Sequence, residues 1–417
     1  METALKERIF SFIDGTEELA VELETELCRR PAVSPASGGE GELEKAEYLG
    51  DWLGSRGFTF ERIDIRDDRA RGKLRPNLVV DPAGPVPAGP VLWIMSHLDV
   101  VPPGDASLWE SDPWTLVRRD SPQGPRLIGR GVEDNQQGLV SSLIAALALR
   151  ETGAPARPVK LLFCADEECG SAYGVEALLR ERPGLFRGED LVLIPDGGDN
   201  RGETIEIAEK NILWLEFNTR GKQAHGSRPD LGANAALAGA ELTVRLHYEL
   251  GEIFNGRDPL FEPGYSTFEP TKKLSNVPNI NTIPGEDLSC MDLRILPRYP
   301  IGEVLKEIDR IKGEVEAKHR VSISYSAPQS VESRATPPDS PLITRLSQAV
   351  KEVYGVNCRP IGIGGGTVGA LLRNKGLHCA VWSRMEDTAH QPNEYVLLSN
   401  ILGNAKVMAL LMLKEGI

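Results

Sequence analysis

Two hydrophobic periods alternate along the first half of the chain. Leu43, Ala46, Leu49, Trp52 and Leu53 recur at helical spacing and stop at Gly57; Leu139, Val140, Leu143, Ile144 and Leu147 do the same and stop near Gly153. Set among them are strand-like runs at residues 77–80, 91–95, 159–164 and 191–194, the last three apolar enough for burial on both faces. A Pro/Gly stretch over 81–90 predicts a surface turn. Residues 1–29 are charged every few positions, with Leu5, Ile9 and Phe12 spaced to face inward, and predict one amphipathic helix. Strands alternating with helices predict an α/β fold, a mostly parallel central sheet flanked by helices.

The texture changes near Asn211. Leu213, Leu215 and Phe217 alternate with Trp214, Glu216 and Asn218, the period-two signature of a strand with one exposed face. A helix over 235–250, a Pro/Gly/Asn-rich stretch, a strand over 288–296, a charged amphipathic helix over 301–318 and a strand over 321–325 complete a small α+β unit. The polar, proline-bearing segment 326–339 reads as the linker back, after which Leu342, Ile343, Leu346, Val350 and Val353 resume the α/β style. The predicted organisation is one α/β domain made of 1–210 and 331–417, interrupted by an inserted domain over 211–330.

Charge narrows the partners. With 47 Lys and Arg against 61 Asp and Glu, the net charge is −14. That argues against nucleic acid, whose affinity comes from phosphate neutralisation, and in favour of cations. No apolar run approaches the roughly 18 residues that cross a bilayer, and the N-terminus lacks the apolar core of a secretory signal. The six cysteines are scattered and form no CxxC pair. Together these features predict a cytoplasmic chain with reduced thiols and no membrane partner.

Candidate chemistry gathers at strand ends. His97 and Asp99 follow the 91–95 run in Ser96-His97-Leu98-Asp99, two apart and so on one side, where the aspartate can orient the imidazole or share a metal. Asp134 lies in a glycine-bearing loop before the Leu139 helix; Glu167 and Glu168 follow the 159–164 run; Asp196 ends the 191–194 run. His390 comes shortly after a strand over 380–383. In open parallel sheets ligands bind beyond the carboxyl ends of strands. Taken singly, His-x-Asp is a surface pair, Glu167-Glu168 a solvated helix start and Asp196 an N-cap. Delivered together, two histidines and several carboxylates without cysteine suit one or two divalent ions, Zn, Mn or Co.

The chain resembles the co-catalytic metallohydrolases that include succinyl-diaminopimelate desuccinylase, acetylornithine deacetylase, aminoacylase and glutamate carboxypeptidase. The resemblance rests on Ser96-His97-Leu98-Asp99-Val100-Val101-Pro102, Gly129-Arg130-Gly131-Val132-Glu133-Asp134, Asp166-Glu167-Glu168-Cys169-Gly170-Ser171 and Ala389-His390-Gln391-Pro392-Asn393-Glu394. It implies two divalent metal ions, zinc first and Co or Mn as alternatives, bridged by Asp134. His97 and Asp196 complete one site, Glu168 and His390 the other. Asp99 holds His97, and Glu167 is the general base that takes a proton from the attacking water and delivers it to the leaving amine.

The same resemblance covers the insert, which it makes a ferredoxin-like lid and dimerisation domain of a homodimer. His225 in Ala224-His225-Gly226-Ser227 corresponds to an oxyanion-stabilising histidine that acts across the dimer. Asn281, Arg294 and the glycine-rich loop with Gly366 and Thr367 correspond to substrate-binding positions. Arg294 suits a carboxylate through its planar fork, or pairs structurally with Asp292 or Glu286. Two departures stand near the substrate: Asn135-Gln136-Gln137-Gly138, where relatives carry Met-Lys-Gly, and Val368, where they carry aspartate. The implied function is metal-dependent cleavage of the amide bond of an N-acyl-amino acid or related small carboxylate-bearing substrate. A carboxypeptidase or dipeptidase acting on short peptides is the alternative on the same scaffold. A non-catalytic binding homologue is disfavoured by the presence of Glu167. His247, His319 and His378 lie outside every matching motif.

Overall fold

The computed structural model describes residues 2–82 and 89–414; Met1, the middle of the turn expected at 81–90, and residues 415–417 lie outside it. Two compact units result. The described residues of Met1–Ile207, Thr336–Pro360 and Leu371–Ile417 form the first, those of Ala208–Ala335 and Ile361–Ala370 the second. The second unit therefore includes Ile361–Ala370, a segment that the hydrophobic pattern left with the first. Thr336 N–H donates to the Ile207 carbonyl at 2.8 Å, so the chain returns beside the point where it left.

The first unit is built on an eight-stranded sheet. Its strands run in the spatial order Thr59–Arg66, Leu74–Asp81, Val159–Cys164, Leu92–His97, Leu191–Asp199, His378–Arg384, Thr204–Glu209 and Arg359–Ile363. The four strands from Val159–Cys164 to His378–Arg384 are mutually parallel, and antiparallel neighbours flank them. Every residue of Leu92–His97 is buried, as a strand covered on both faces requires. The crossover helix Gln137–Thr152 is apolar nearly all round because it too is sandwiched; its first thirteen residues are buried. Register matters for the site: His97 pairs with Cys164, so these two parallel strands end side by side.

The N-terminal segment is two helices, Glu2–Asp14 and Glu17–Cys28, rather than the single one expected. Gly15 terminates the first, its N–H bonding the Phe12 carbonyl at 3.0 Å, and the Thr16 hydroxyl donates to Ile13 at 2.7 Å before a new ladder begins at Ala20. No helix among the described residues is long and apolar enough to cross a membrane.

The second unit has a four-stranded antiparallel sheet in the order Thr267–Ser275, Glu286–Ile295, Asn211–Arg220, Ser322–Val331. With helices Ala235–Ile253 and Ile301–His319, the chain order is βαββαβ, the ferredoxin-like pattern. Leu213, Leu215 and Phe217 face the helices in one core with Leu242, Leu246, Ile308 and Ile311. Trp214 on the other face is 42% exposed. The Thr267–Ser275 strand lies where only an irregular Pro/Gly/Asn-rich stretch was expected, and Ser322–Val331 runs on into the expected linker.

Candidate metal centre

Local backbone places each side chain. His97 is the last residue of its strand, and its Nδ1 lies 2.9 Å from the Asp99 carbonyl oxygen. A carbonyl only accepts, so Nδ1 carries a proton and Nε2 is the atom turned to the acids. Nε2 lies 2.9 Å from Asp134 Oδ1 and 3.5 Å from Asp196 Oδ2. On the opposite side His390 Nε2 lies 3.0 Å from Asp134 Oδ2 and 3.2 Å from Glu168 Oε2. Asp134 thus offers one oxygen to each histidine. The Asp134–Asn135 peptide bond is cis, and Asn135 Nδ2 donates to Asp196 Oδ1 at 2.9 Å. Asp196 lies inside the strand Leu191–Asp199, which continues past the expected end at 194.

The glutamate pair sits on a short turn after Val159–Cys164. The Asp99 carboxylate accepts the amides of Glu167 at 3.0 Å and Glu168 at 3.1 Å; its nearer oxygen is 3.6 Å from His97 Nδ1. Asp99 therefore meets His97 chiefly through its carbonyl and spends its carboxylate on the glutamate turn. Asp166, which opens that turn, adopts φ +62°, a region most side chains avoid. It is held there by Arg75, whose guanidinium reaches Asp166 at 2.9 Å, Glu42 at 2.6 Å and Asp67 at 3.3 Å, all four groups buried. Donor atoms of His97, Asp134 and Glu168 lie within 4.8 Å of one another, and so do those of His97, Glu167 and Asp196.

The electrostatics follow from crowding acids around two imidazoles. Burial opposes charge on His97, but Asp196 and Asp134 outweigh it and hold its pKa well above the ordinary imidazole value. Hydrogen bonds to Asp134 and Glu168 push His390 up to about 10. Burial works to raise Asp134, yet His390 and His97 keep it well below the usual carboxylate range. Burial lifts Asp196 to about 6, Asp99 to about 7 and Glu167 well above its ordinary value. Each histidine is thus set to keep a proton between carboxylates, the position a cation takes when the proton leaves. The mixed imidazole and carboxylate donors fit a borderline divalent ion.

All seven predicted residues at the strand ends come together in the first unit. The other five lie in the second. His225 pairs across a two-residue ladder with Thr282, its Nδ1 2.8 Å from Ser227 Oγ, and the adjacent Gly226 N–H bonds the Asn281 carbonyl at 2.7 Å. Arg294 binds Asp292 through Nε at 2.7 Å and a second nitrogen at 3.0 Å, and the Gly364 carbonyl at 2.9 Å. Three of its five N–H donors are so engaged, and two remain. The Thr367 hydroxyl donates to Glu209 at 2.6 Å, and Gly366 precedes it on the same loop. Sequence reasoning assigned no role to Arg75, Glu133 or Glu394. The last two stand inside quoted motifs, where a glutamate beside Val132 and one four residues past His390 were the available signals.

Residues 93–414 match the model of peptidase family M20/M25/M40. A metallohydrolase from Methanocaldococcus jannaschii is 39% identical over 410 residues, 94% of this chain and 98% of that protein. A succinyl-diaminopimelate desuccinylase from Cereibacter sphaeroides is 30% identical over 386 residues, 91% of this chain and 94% of that protein. Aminopeptidase PepT from Bacillus cereus shares the fold, with a TM-score of 0.76 at 17% identity over 95% of this chain and 98% of that one.

Proposed function

The chain belongs to peptidase family M20/M25/M40 and is a metal-dependent hydrolase of amide bonds; from that premise we propose that it uses two divalent ions, zinc first, to remove the acyl group from an N-acyl-amino acid or a related small carboxylate-bearing substrate. The observation that carries this reading is Asp134, with one oxygen beside His97 and the other beside His390. His97, Asp134 and Asp196 would hold one ion; Asp134, Glu168 and His390 the other. Bound there, the ions would supply Lewis acidity, toward the scissile carbonyl and toward the attacking water.

This chain's own groups do the rest. Glu167 takes the proton from the attacking water and hands it to the leaving nitrogen, and the proton affinity that burial gives it suits both halves of that transfer. Asp99 keeps Glu167 in place through its backbone amide. On the second unit, the same proposal gives the developing oxyanion to His225 of the partner subunit in a homodimer. It gives the substrate to Asn281, Arg294, Gly366 and Thr367, with the two unused donors of Arg294 for a carboxylate.

Identity to the desuccinylase favours an acyl-amino acid over a free peptide. The test is a hydrolysis screen with added Zn, Mn and Co that pairs N-acetyl- and N-succinyl-amino acids with unblocked dipeptides. Release of acetate or succinate is the expected result. Turnover of dipeptides alone would move the enzyme to the peptidase branch, and no turnover of any substrate would overturn the proposal.

A further inference from the structure

Two glutamates with no place among the proposed ligands bind the loops that carry Asp134 and His390. Glu394, 1% exposed, sits four residues beyond His390, yet its carboxylate reaches back to the Asp134 loop. Oε2 accepts from Arg130 at 2.5 Å and from the Gly131 amide at 3.0 Å; Oε1 accepts the amides of Glu133 at 2.9 Å and Asp134 at 3.1 Å. Glu133, also 1% exposed, precedes Asp134 and does the converse. It accepts the Glu386 amide on one oxygen, and the Thr388 amide at 2.5 Å and hydroxyl at 2.6 Å on the other. Each ligand's neighbour grips the other ligand's loop.

Both loops need an outside hold. Asp387, His390 and Asn393 adopt φ of +58°, +64° and +59°, left-handed values at three non-glycine residues within one short segment. Such backbone persists only where surrounding bonds over-determine it. A buried carboxylate without hydrogen bonds is costly, and these two are satisfied from the opposite loop by five amides, the Arg130 guanidinium and the Thr388 hydroxyl. Gly131 contributes to the fit: at φ +84°, a Cβ there would stand 2.4 Å from Val100 Cγ1.

We propose that Glu133 and Glu394 are positioning residues, a reciprocal pair of carboxylate clamps that sets the spacing of Asp134 and His390 and so the metal affinity, without touching an ion. The proposal rests on the two-metal reading and deepens it. Neither glutamate contacts substrate in this assignment.

The test uses the full chain with Glu133→Gln, Glu394→Gln and both together. Glutamine keeps the size but turns an NH2 toward N–H donors. In metal-free protein, hydrogen exchange read by mass spectrometry should accelerate over residues 386–395 and 130–134 in both single variants. Zinc affinity, measured by chelator competition, should fall about 10- to 100-fold in each, the usual cost of removing an outer partner of a ligand. Because both clamps hold the same pair of loops, the loss in the double variant should differ from the sum of the two single losses. Additive losses, or unchanged zinc affinity with wild-type exchange, would overturn the proposal. Should a glutamine variant fail to fold, Thr388→Val keeps the Thr388 amide on Glu133 and removes the hydroxyl, which bonds Glu133 and also the Tyr395 carbonyl and amide, and a smaller loss of zinc affinity is expected. Unchanged affinity there refutes the clamp. A wild-type chain that takes up no zinc refutes the two-metal reading instead, while the exchange measurement still decides the clamp.

Discussion

Metal uptake should expel protons, because both histidines are held in their charged form. In the metal-free protein His97 is held well above the imidazole range, and His390 is pushed up to about 10. His390 is 54% exposed, so solvent screening discounts its value. The window of pH 6–7 is therefore the one in which both rings are charged. Asp134 is already ionised there and contributes nothing, whereas Asp196, lifted to about 6, adds a fraction of a proton. A ligating nitrogen has to be neutral, so each ion releases at least one proton, from His97 in one site and from His390 in the other. Each dissociation constant should then tighten about tenfold from pH 6 to pH 7. Calorimetry of zinc binding at pH 6.5 in buffers of different ionisation enthalpy counts the protons directly. A release near zero would refute the reasoning, because the rings would be neutral already or would not bind the metal. The sign for the empty protein is opposite. A histidine whose pKa is raised on folding stabilises the metal-free fold below the unfolded value, and that contribution is lost as pH rises toward its folded pKa.

Three other outcomes are expected. Glu167→Gln should keep its metal by elemental analysis yet lose about 10²- to 10⁴-fold in kcat, the range for a general base; retained turnover would assign the proton transfer elsewhere. Arg294→Ala should raise KM for carboxylate-bearing substrates with little change in kcat, and an equal loss on an amidated analogue would remove the carboxylate clamp. Arg75→Met should cost the metal-free protein about 3–5 kcal/mol in urea unfolding, since Glu42, Asp67 and Asp166 would lose their buried cation. A loss under about 1 kcal/mol would show that the three acids settle without it.

Much of the candidate site was legible in the sequence because His97, Glu167, Glu168 and Asp196 follow or end apolar runs that read as buried strands, while Asp134 stands on a glycine-bearing loop. Once residues 91–95 and 159–164 are read as adjacent parallel strands, His97 and Glu167 must lie near each other. The insert was legible where one face is buried and illegible at its edge. Thr267–Ser275 carries Glu269, Lys272, Lys273 and an exposed Leu274, so it shows no alternation, and Pro270 falls at its bulge. The antiparallel strand Thr59–Arg66 escaped notice for a different reason: Ile63 and Ile65 alternate with Asp64 and Arg66 over only four residues, and Arg62 breaks the pattern before them. Arg75, Glu133 and Glu394 escaped for another. A buried charge has the same sequence appearance as a solvated one, and only the partners, tens to hundreds of residues away, distinguish them.

The hydrogen bond between Thr336 and Ile207 has a consequence for how such a protein diversifies. Residues 207 and 336 stand one hydrogen bond apart, 2.8 Å from nitrogen to oxygen, so a segment inserted between them imposes no stretch on the chain that carries it. The length of what lies between the two residues can then vary without moving the strand that ends in Glu209 or the segment that begins at Thr336.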